Sequence, residues 1–300
     1  MRVAFFGLPL AAVLLARDGH DIVYAAASRR APGLRRLTTR SAPGRTELRP
    51  RVDRSDTLER VRAARPDLIV SWFWTTRLPE SILRLAPSLG VHPSLLPRHR
   101  GPDPCFWAID AGDEITGVTA HRLAVEYDTG DVLARRELRV DPAWNGWLLA
   151  RALDRPSLAL LREVVRAHAE GNPPAAIPQD ELAATAAPSP TDEDLAIVWS
   201  WPAARIERRV RAAAPWPGAW TEIGDRIVTL VRVRPTRDYP RALESGEAAL
   251  RSDGVAVVRT GDDAVELVEG RAEDERPLAD RDLADLVRAA QREGAGGEGT

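Results

Sequence analysis

The sequence contains no lysine, so all 42 of its positively charged side chains are arginine. With 44 acidic residues the formal net charge is -2, which excludes a general basic surface that would hold nucleic acid or a membrane by charge alone. The single cysteine excludes an internal disulfide and a cysteine metal cluster. No apolar run approaches the roughly 20 residues that a bilayer-spanning helix requires. We therefore expect a cytoplasmic protein that binds no membrane.

Several cofactor and metal motifs are also missing. The turn Gly7-Leu8-Pro9 after the first predicted strand does not follow GxGxxG, and no GxxxxGK[ST] occurs, so a nucleotide phosphate site is unsupported. HxxEH and CxxC spacings are absent, so we predict no metal. Gly7 and Pro9 interrupt the apolar N-terminal run, which argues against a signal peptide.

The N-terminal part of the chain alternates short apolar runs with helical patterns. Strands are predicted at 2–6, 21–27 and 68–74, with helices between them. Because this order is typical of a parallel sheet, the predicted fold class is α/β with a Rossmann-like domain. The arginine-rich stretch 28–54 is predicted to be an exposed loop. The helix after it is predicted to begin with Ser55 or Asp56 as its N-cap.

Composition changes suggest two domains. Residues 1–171 are predicted to form the Rossmann-like catalytic domain. Residues 172–195 are rich in proline, alanine and acids without a period, which indicates a linker. Residues 196–293 contain short strands separated by Gly-Asp and Asp-Gly turns, which favours a small barrel or antiparallel sheet.

Two segments hold candidate catalytic groups. His92 and His99 lie in a proline-rich loop after a buried strand, where open α/β sheets place their ligands. A structural, hydrogen-bonded histidine is the alternative. Asp128 lies in a Glu-Tyr-Asp-Thr-Gly-Asp turn, which is also ordinary hairpin chemistry. If Asp128 lies near His92, the carboxylate and imidazole would form an acid/base pair suited to neutral pH.

These segments resemble the folate-dependent formyltransferases, and among them the enzymes that formylate methionyl-tRNA. The similar motifs run through nearly the whole chain and keep the family's order. They are Phe6-Gly7-Leu8-Pro9, His92-Pro93-Ser94-Leu95-Leu96-Pro97-Arg98-His99-Arg100-Gly101, Gly117-Val118-Thr119, Tyr127-Asp128-Thr129-Gly130-Asp131, Trp199-Ser200 and Ala214-Pro215-Trp216-Pro217-Gly218-Ala219-Trp220.

The resemblance implies a Rossmann-like formyltransferase domain and a small C-terminal OB-like β-barrel domain. It implies 10-formyltetrahydrofolate as the formyl donor, with no metal. It assigns proton transfer to His92 and Asp128 as an amine attacks the formyl carbon. The folate would be held between the loop from Ser71 to Pro79 and the Ser94–Gly101 loop. The residues implied in folate binding are Phe73, Trp74, Leu78, Ser94, Leu95, Leu96, Pro97, Arg98 and Gly101.

One position departs from the family pattern. The family has an asparagine two residues before the histidine, and here that position is Gly90. The amide would donate a hydrogen bond to the developing oxyanion, and losing one such donor typically costs about 10²–10³ in rate. Three interpretations stay open: a slow enzyme, replacement of the amide by a group such as His121 or Arg98, or a folate- or RNA-binding homologue without catalysis.

The acceptor is the remaining question. The resemblance implies initiator methionyl-tRNA, which such enzymes hold partly through a basic loop. In this chain that loop would contain Arg29, Arg30, Arg35, Arg36, Arg40 and Arg45. Arginines of this kind would contact phosphates, but a solvated loop is an equal alternative. A small amine or amino sugar is the other acceptor class, and we expect a monomer.

Overall fold

In the computed structural model, residues 1–28, 31, 33–40 and 44–296 are described. The chain divides into two compact units. Unit 1 consists of Met1–Pro104, Ile115–Arg139 and Arg151–Pro188. Unit 2 consists of Cys105–Glu114, Val140–Ala150 and Ser189–Thr300.

A mixed sheet forms the centre of unit 1. Its strands are β1 (Arg2–Gly7), β2 (Asp21–Ala27), β3 (Thr46–Leu48), β4 (Leu68–Trp72), β5 (Ser88–His92), β6 (Ile115–Arg122) and β7 (Val132–Arg139). Their order is β3-β2-β1-β4-β5-β6-β7. Strands β1 to β5 pair in parallel, whereas β6 and β7 join antiparallel. The predicted α/β class with a Rossmann-like, parallel-type sheet is confirmed.

The helices alternate with the strands in unit 1 and continue into unit 2. They are α1 (Pro9–Arg17), α2 (Leu34–Arg40), α3 (Ser55–Ala63), α4 (Glu80–Leu83), α5 (Pro104–Ala111), α6 (Gly146–Ala169), α7 (Asp192–Leu195), α8 (Ala203–Ala213) and α9 (Asp280–Gly296), with a 3₁₀ turn at Glu181–Ala183. None of these described helices combines the length and the apolar character that a membrane span requires.

The turn between β1 and α1 requires glycine. Gly7 has φ +140, and a Cβ there would collide with the carbonyl oxygen of Trp72 on the neighbouring strand. The same carbonyl accepts the backbone N–H of Leu8 at 3.0 Å. A close contact between two backbones therefore fixes the start of α1 against the end of β4.

Two predictions in the arginine-rich region are wrong. The stretch 28–54 contains α2 and β3 in addition to loop segments. Leu37 is buried on α2, and β3 is a short edge strand with no alternating apolar pattern to reveal it. The N-cap of α3 is Arg54, with extended backbone and no side-chain cap, instead of Ser55 or Asp56. The Asp56 carboxylate accepts the adjacent N–H of Thr57 instead of capping the helix.

Unit 2 is built on an antiparallel sheet. Its strands are β8 (Ala219–Ile223), β9 (Arg226–Thr236), β10 (Ala248–Leu250), β11 (Ala256–Arg259), β12 (Ala264–Ala272) and β13 (Pro277–Ala279). The order is β10-β11-β12-β9-β8, and β13 pairs with β12. No pairing joins β8 to β10 in the described part of the chain, so the sheet forms a half-barrel. Helices α8 and α9 pack on it.

The stretch predicted as a linker makes many contacts within unit 1. Ile177 forms an isolated antiparallel bridge with Val132, and Ala186 forms a parallel bridge with Arg100. Residues up to Pro188 belong to unit 1 by their contacts. The functional boundaries 1–171, 172–195 and 196–293 stay predictions.

Candidate active site

Three neighbouring strands place a row of residues on one face of the sheet in unit 1. Ser71 on β4 is in register with Gly90 on β5, and Gly90 is in register with His121 on β6. His92 lies two residues after Gly90 and therefore points to the same face. All four residues line a cavity of about 390 Å³ at this edge of the sheet.

The two predicted catalytic side chains meet in this cavity. His92 Nδ1 lies 3.4 Å from Asp128 Oδ2, and both side chains are largely buried. His92 Nε2 lies 2.7 Å from the carbonyl oxygen of His99. A carbonyl only accepts, so Nε2 carries the hydrogen and Nδ1 faces the carboxylate. The backbone N–H of Gly101 donates to the same Asp128 oxygen at 3.0 Å.

A second imidazole faces the other oxygen of the same carboxylate. His121 Nε2 lies 3.5 Å from Asp128 Oδ1. His121 Nδ1 donates to the carbonyl oxygen of Arg122 at 2.8 Å, so its N–H is also engaged by backbone. Burial lowers the pKa of His121, while the Asp128 carboxylate opposes that effect. His121 is therefore held in its neutral form, with the lone pair of Nε2 directed at Asp128.

The turn that carries Asp128 is fixed from outside the predicted motif. Asp128 has φ +56, a backbone conformation that residues other than glycine rarely adopt. The Gln179 amide donates to the carbonyl oxygens of Asp128 and Gly130, both at 2.7 Å. The Gln179 oxygen accepts from the guanidinium of Arg100 at 2.9 Å and 3.1 Å. Sequence reasoning missed Gln179 because a lone glutamine in an aperiodic stretch carries no signal.

The loop after His92 is held by its own hydrogen bonds. The Ser94 hydroxyl donates to the carbonyl oxygen of Arg98 at 2.6 Å. The Leu96 N–H donates to the Thr119 hydroxyl at 3.1 Å, and that hydroxyl donates to the Ser94 carbonyl at 2.7 Å. His99 has φ +58, and its N–H donates to the Thr185 hydroxyl at 2.8 Å. The loop is therefore rigid on both sides of its prolines.

The residues predicted for folate binding separate into two groups. Those that line the cavity are Phe73, Trp74, Leu78 and Gly101. Those that lie in the loop without lining the cavity are Ser94, Leu95, Leu96, Pro97 and Arg98. Ser94 and Leu96 are fully buried, and Arg98 is exposed. Contact of the second group with a folate stays a prediction.

A second cavity of about 970 Å³ borders the first, and the segment 73–78 lines both. Contacts at the rim join this segment to the turn before Asp128. Arg77 pairs with Glu126 at 2.8 Å, and the Tyr127 hydroxyl donates to the carbonyl oxygen of Thr75 at 3.1 Å. Unit 1 thus contains two adjoining cavities that share one wall.

The arginines predicted to hold an acceptor are only partly described. Arg29 and Arg30 lie outside the described residues. Arg35 and Arg36 are exposed on α2, and Arg45 pairs with Asp21 at 2.6 Å. Across the described residues, no group of three or more His, Cys, Asp or Glu side chains is arranged to hold a metal ion.

The protein class that the fold and the site define is also recognisable in the sequence of the whole chain. The formyl transferase model matches residues 17–164, and the model of the formyl transferase C-terminal domain matches residues 190–286. The chain belongs to the formyl transferase family. A curated relative, the methionyl-tRNA formyltransferase of Anaeromyxobacter dehalogenans, is 36% identical over 307 residues, which cover 96% of this chain and 97% of the relative.

Solved structures share the fold. HypX from Aquifex aeolicus in complex with tetrahydrofolic acid has a TM-score of 0.65 at 22% identity, covering 96% of this chain and 48% of HypX. This chain therefore spans about half the length of HypX. The N-formyltransferase from Helicobacter canadensis, in complex with folinic acid and dTDP-3-aminofucose, has a TM-score of 0.67 at 11% identity, covering 88% of this chain and 98% of that one.

Proposed function

We propose that this chain transfers the formyl group of 10-formyltetrahydrofolate to a primary amine, and that initiator methionyl-tRNA is the acceptor. The contact of His92 with Asp128 inside a cavity of unit 1 carries the proposal, because it places side by side two groups that can accept a proton and pass it on. The choice of methionyl-tRNA as the acceptor rests on the 36% identity to an enzyme named methionyl-tRNA formyltransferase, over nearly the full length of both chains.

The cavity suits the donor. Its volume of about 390 Å³ lies within the usual range for small-molecule sites, and its wall is mainly apolar and aromatic. Phe73 and Trp74 provide flat surfaces for a pteridine ring. No metal is needed in this scheme, since proton transfer and hydrogen bonding are sufficient for acyl-type transfer.

The charges of the reaction match the residues. As the amine nitrogen bonds to the formyl carbon, it gains positive charge and must lose a proton. Asp128 is the base that accepts this proton, and His92 shares it through the Nδ1–Oδ2 contact. The same pair returns a proton to the folate nitrogen as its bond to the formyl carbon breaks. The Gly101 N–H and the Gln179 amide keep Asp128 in place during both steps.

The test is a formyl-transfer assay with 10-formyltetrahydrofolate. Charged initiator methionyl-tRNA is compared with a panel of small amines and amino sugars. We expect product on the tRNA, and loss of that product in His92→Ala and Asp128→Asn. His168→Ala is the matched control, because His168 lies on α6 outside the cavity and should retain activity.

Each other outcome removes one part of the proposal. Full activity in His92→Ala would remove the catalytic assignment. Formylation of a small amine without formylation of the tRNA would show that the acceptor is that amine and not methionyl-tRNA. Absence of product with every acceptor would contradict formyl transfer itself.

A further inference from the structure

The reaction proposed above places negative charge on the formyl oxygen when the amine adds to the formyl carbon. Such an oxyanion needs a hydrogen-bond donor that is already in position. We propose that the hydroxyl of Ser71 is this donor, an inference that rests on the proposed function. Ser71 lies beside Gly90 in the row that faces the cavity.

The donors closest to the reaction centre are already engaged. His92 and His121 each give their N–H to a backbone carbonyl, and the Gly101 N–H donates to Asp128. A neutral imidazole has no further hydrogen to give. Neither histidine is therefore free to donate to the oxyanion while its partner carbonyl is in place.

Two donors at the rim are engaged as well, whereas the buried indole N–H of Trp74, on the segment 73–78, has no partner among the described residues. The Tyr127 hydroxyl donates to the carbonyl oxygen of Thr75, and the Arg77 guanidinium pairs with Glu126. Both contacts are exposed and lie on the loops that border the cavity, away from the row on the sheet. They do not supply a donor beside His92.

The Ser71 hydroxyl remains available. Within the described residues it makes no hydrogen bond, and the half-buried side chain lines the cavity. It stands on a strand of the central sheet, so its position is fixed by β-pairing on both sides of β4. A hydroxyl on a rigid strand, open toward a cavity, has the preorganisation that oxyanion stabilisation requires.

Gly90 leaves open the part of the cavity beside this hydroxyl. A Cβ at Gly90 would lie 3.6 Å from the Ser71 Cβ and 2.9 Å from a methyl carbon of Leu123. A side chain at Gly90 would therefore occupy the space beside Ser71 and would have to displace the Leu123 methyl group. Glycine at this position and serine beside it act together: one leaves the space and the other supplies the hydrogen bond.

The step balances without a further reactant. The amine nitrogen forms a bond to the formyl carbon, and the carbonyl electron pair moves to oxygen. That pair returns as the bond from the formyl carbon to the folate nitrogen breaks, and the proton lost by the amine reaches the folate nitrogen through Asp128 and His92. Ser71 donates a hydrogen bond to the oxygen throughout and keeps its proton.

The experiment compares three serine variants of the full chain. We expect Ser71→Ala to lower kcat about 10²-fold, the usual effect of removing one oxyanion donor, with little change in KM for the folate. Ser71→Thr retains the hydroxyl and should retain most of the activity. Ser88→Ala, on the next strand and outside the cavity, is the control and should behave as the wild type. Tetrahydrofolate binding verifies that each variant is folded.

A rescue variant provides an independent check. Gly90→Asn combined with Leu123→Ala places an amide in the same space, and in the Ser71→Ala background it should restore part of the lost kcat. Equal kcat in Ser71→Ala and Ser88→Ala would overturn the inference, as would a loss in Ser71→Thr equal to that in Ser71→Ala. If His92→Ala abolishes transfer while Ser71→Ala does not, the proposed function stands and only the role of Ser71 is rejected. A wild type that transfers no formyl group overturns both.

Discussion

Asp128 lies between two imidazoles whose hydrogens point away from it. His92 Nδ1 and His121 Nε2 face its two oxygens at 3.4 Å and 3.5 Å, and the opposite nitrogens donate to backbone carbonyls. Burial disfavours a proton on His121. His121 therefore faces Asp128 as a neutral imidazole.

His121 should make the stability of the protein depend on pH. Its pKa in the folded state lies below the ordinary value of 6.5, mainly because of burial. The unfolded chain then binds a proton more readily, so the contribution of His121 to stability is complete above about pH 6.5 and is lost as the pH falls through the folded pKa. We expect the free energy of unfolding from urea titrations to decrease from about pH 8 to about pH 5.5.

His121→Gln should make this decrease smaller. Burial also lowers the pKa of His20, so His20 likewise makes the free energy of unfolding decrease at low pH. This second contribution is unchanged in His121→Gln. His20→Gln therefore serves as the matched comparison, and the double variant should show the flattest profile. A His121→Gln profile that parallels the wild type would contradict the neutral assignment of His121.

At the residue scale the sequence predicts the acid/base pair but not its surroundings. His92 follows a buried strand and Asp128 lies in an acidic turn, and family resemblance joins the two. Ser71 is one polar residue in an apolar strand, and only the strand register shows that it borders Gly90. Gln179 lies far from both motifs in the chain, and its hydrogen bonds to the Asp128 turn depend on a loop path that no periodicity reveals.

At the scale of elements, the stretch that ends unit 1 supports the site. Gln179 ties the Asp128 turn to Arg100, and the backbone of Thr185 pairs with the loop after His92. Arg100 also pairs with Glu181 at 2.8 Å. A segment that is rich in proline and alanine thus fixes both loops that carry the proposed catalytic pair.

Replacement of Gln179 tests this support. We expect Gln179→Ala to lower the free energy of unfolding by about 1–3 kcal/mol through the lost hydrogen bonds, and to lower kcat more than it raises KM for the folate. Gln179→Glu keeps the oxygen that accepts from Arg100 but loses the donor to the Asp128 turn. If Gln179→Glu has wild-type kcat, the amide donor does not position Asp128.

Helix α2 presents Arg35 and Arg36 to solvent, which makes them candidates for phosphate contacts. We expect Arg35→Ala combined with Arg36→Ala to raise KM for charged tRNA with little change in kcat. The dependence of log KM on log salt should become shallower by about two, one for each removed cation. Activity on a small amine should not change.

Arg62→Ala is the control for this pair. Arg62 is an exposed arginine of α3 that pairs with Glu59. Its replacement by alanine removes one positive charge, as does the replacement of either arginine of α2. If Arg62→Ala raises KM for charged tRNA as much as Arg35→Ala or Arg36→Ala alone, general charge, and not a site on α2, sets the affinity for tRNA.

At the scale of the whole molecule, alternating patterns are sufficient to predict the sheet of unit 1 but not all of its edges. Strands β1, β2 and β4 are apolar and buried, and each is followed by a helical pattern, so their parallel pairing is predictable. The edge strand β3 has three residues and only partial burial, so pairing with β2 defines it. Apolar alternation cannot reveal a strand whose stability comes from backbone hydrogen bonds.

The compact units also do not follow the chain in order. Cys105–Glu114 belongs to unit 2, although the sequence on both sides of it belongs to unit 1. Within unit 2, Asp110 accepts two hydrogen bonds from Arg209, at 2.7 Å and 3.0 Å, and both side chains are 4% exposed. The Arg209 guanidinium also lies 5.1 Å from the ring of Trp201. This buried pair connects the α5 segment to α8.

Breaking the pair should destabilise unit 2 far more than replacing it. We expect Asp110→Ala to cost about 3–5 kcal/mol in the free energy of unfolding, because it leaves the Arg209 charge buried without a partner. Asp110→Leu combined with Arg209→Met removes both charges and should cost much less, since a well-packed apolar pair often equals a buried ion pair in stability. Urea unfolding followed by tryptophan fluorescence measures both variants. If Asp110→Ala costs no more than the double replacement, the charges are compensated by another group, and the pair does not hold α5 in unit 2.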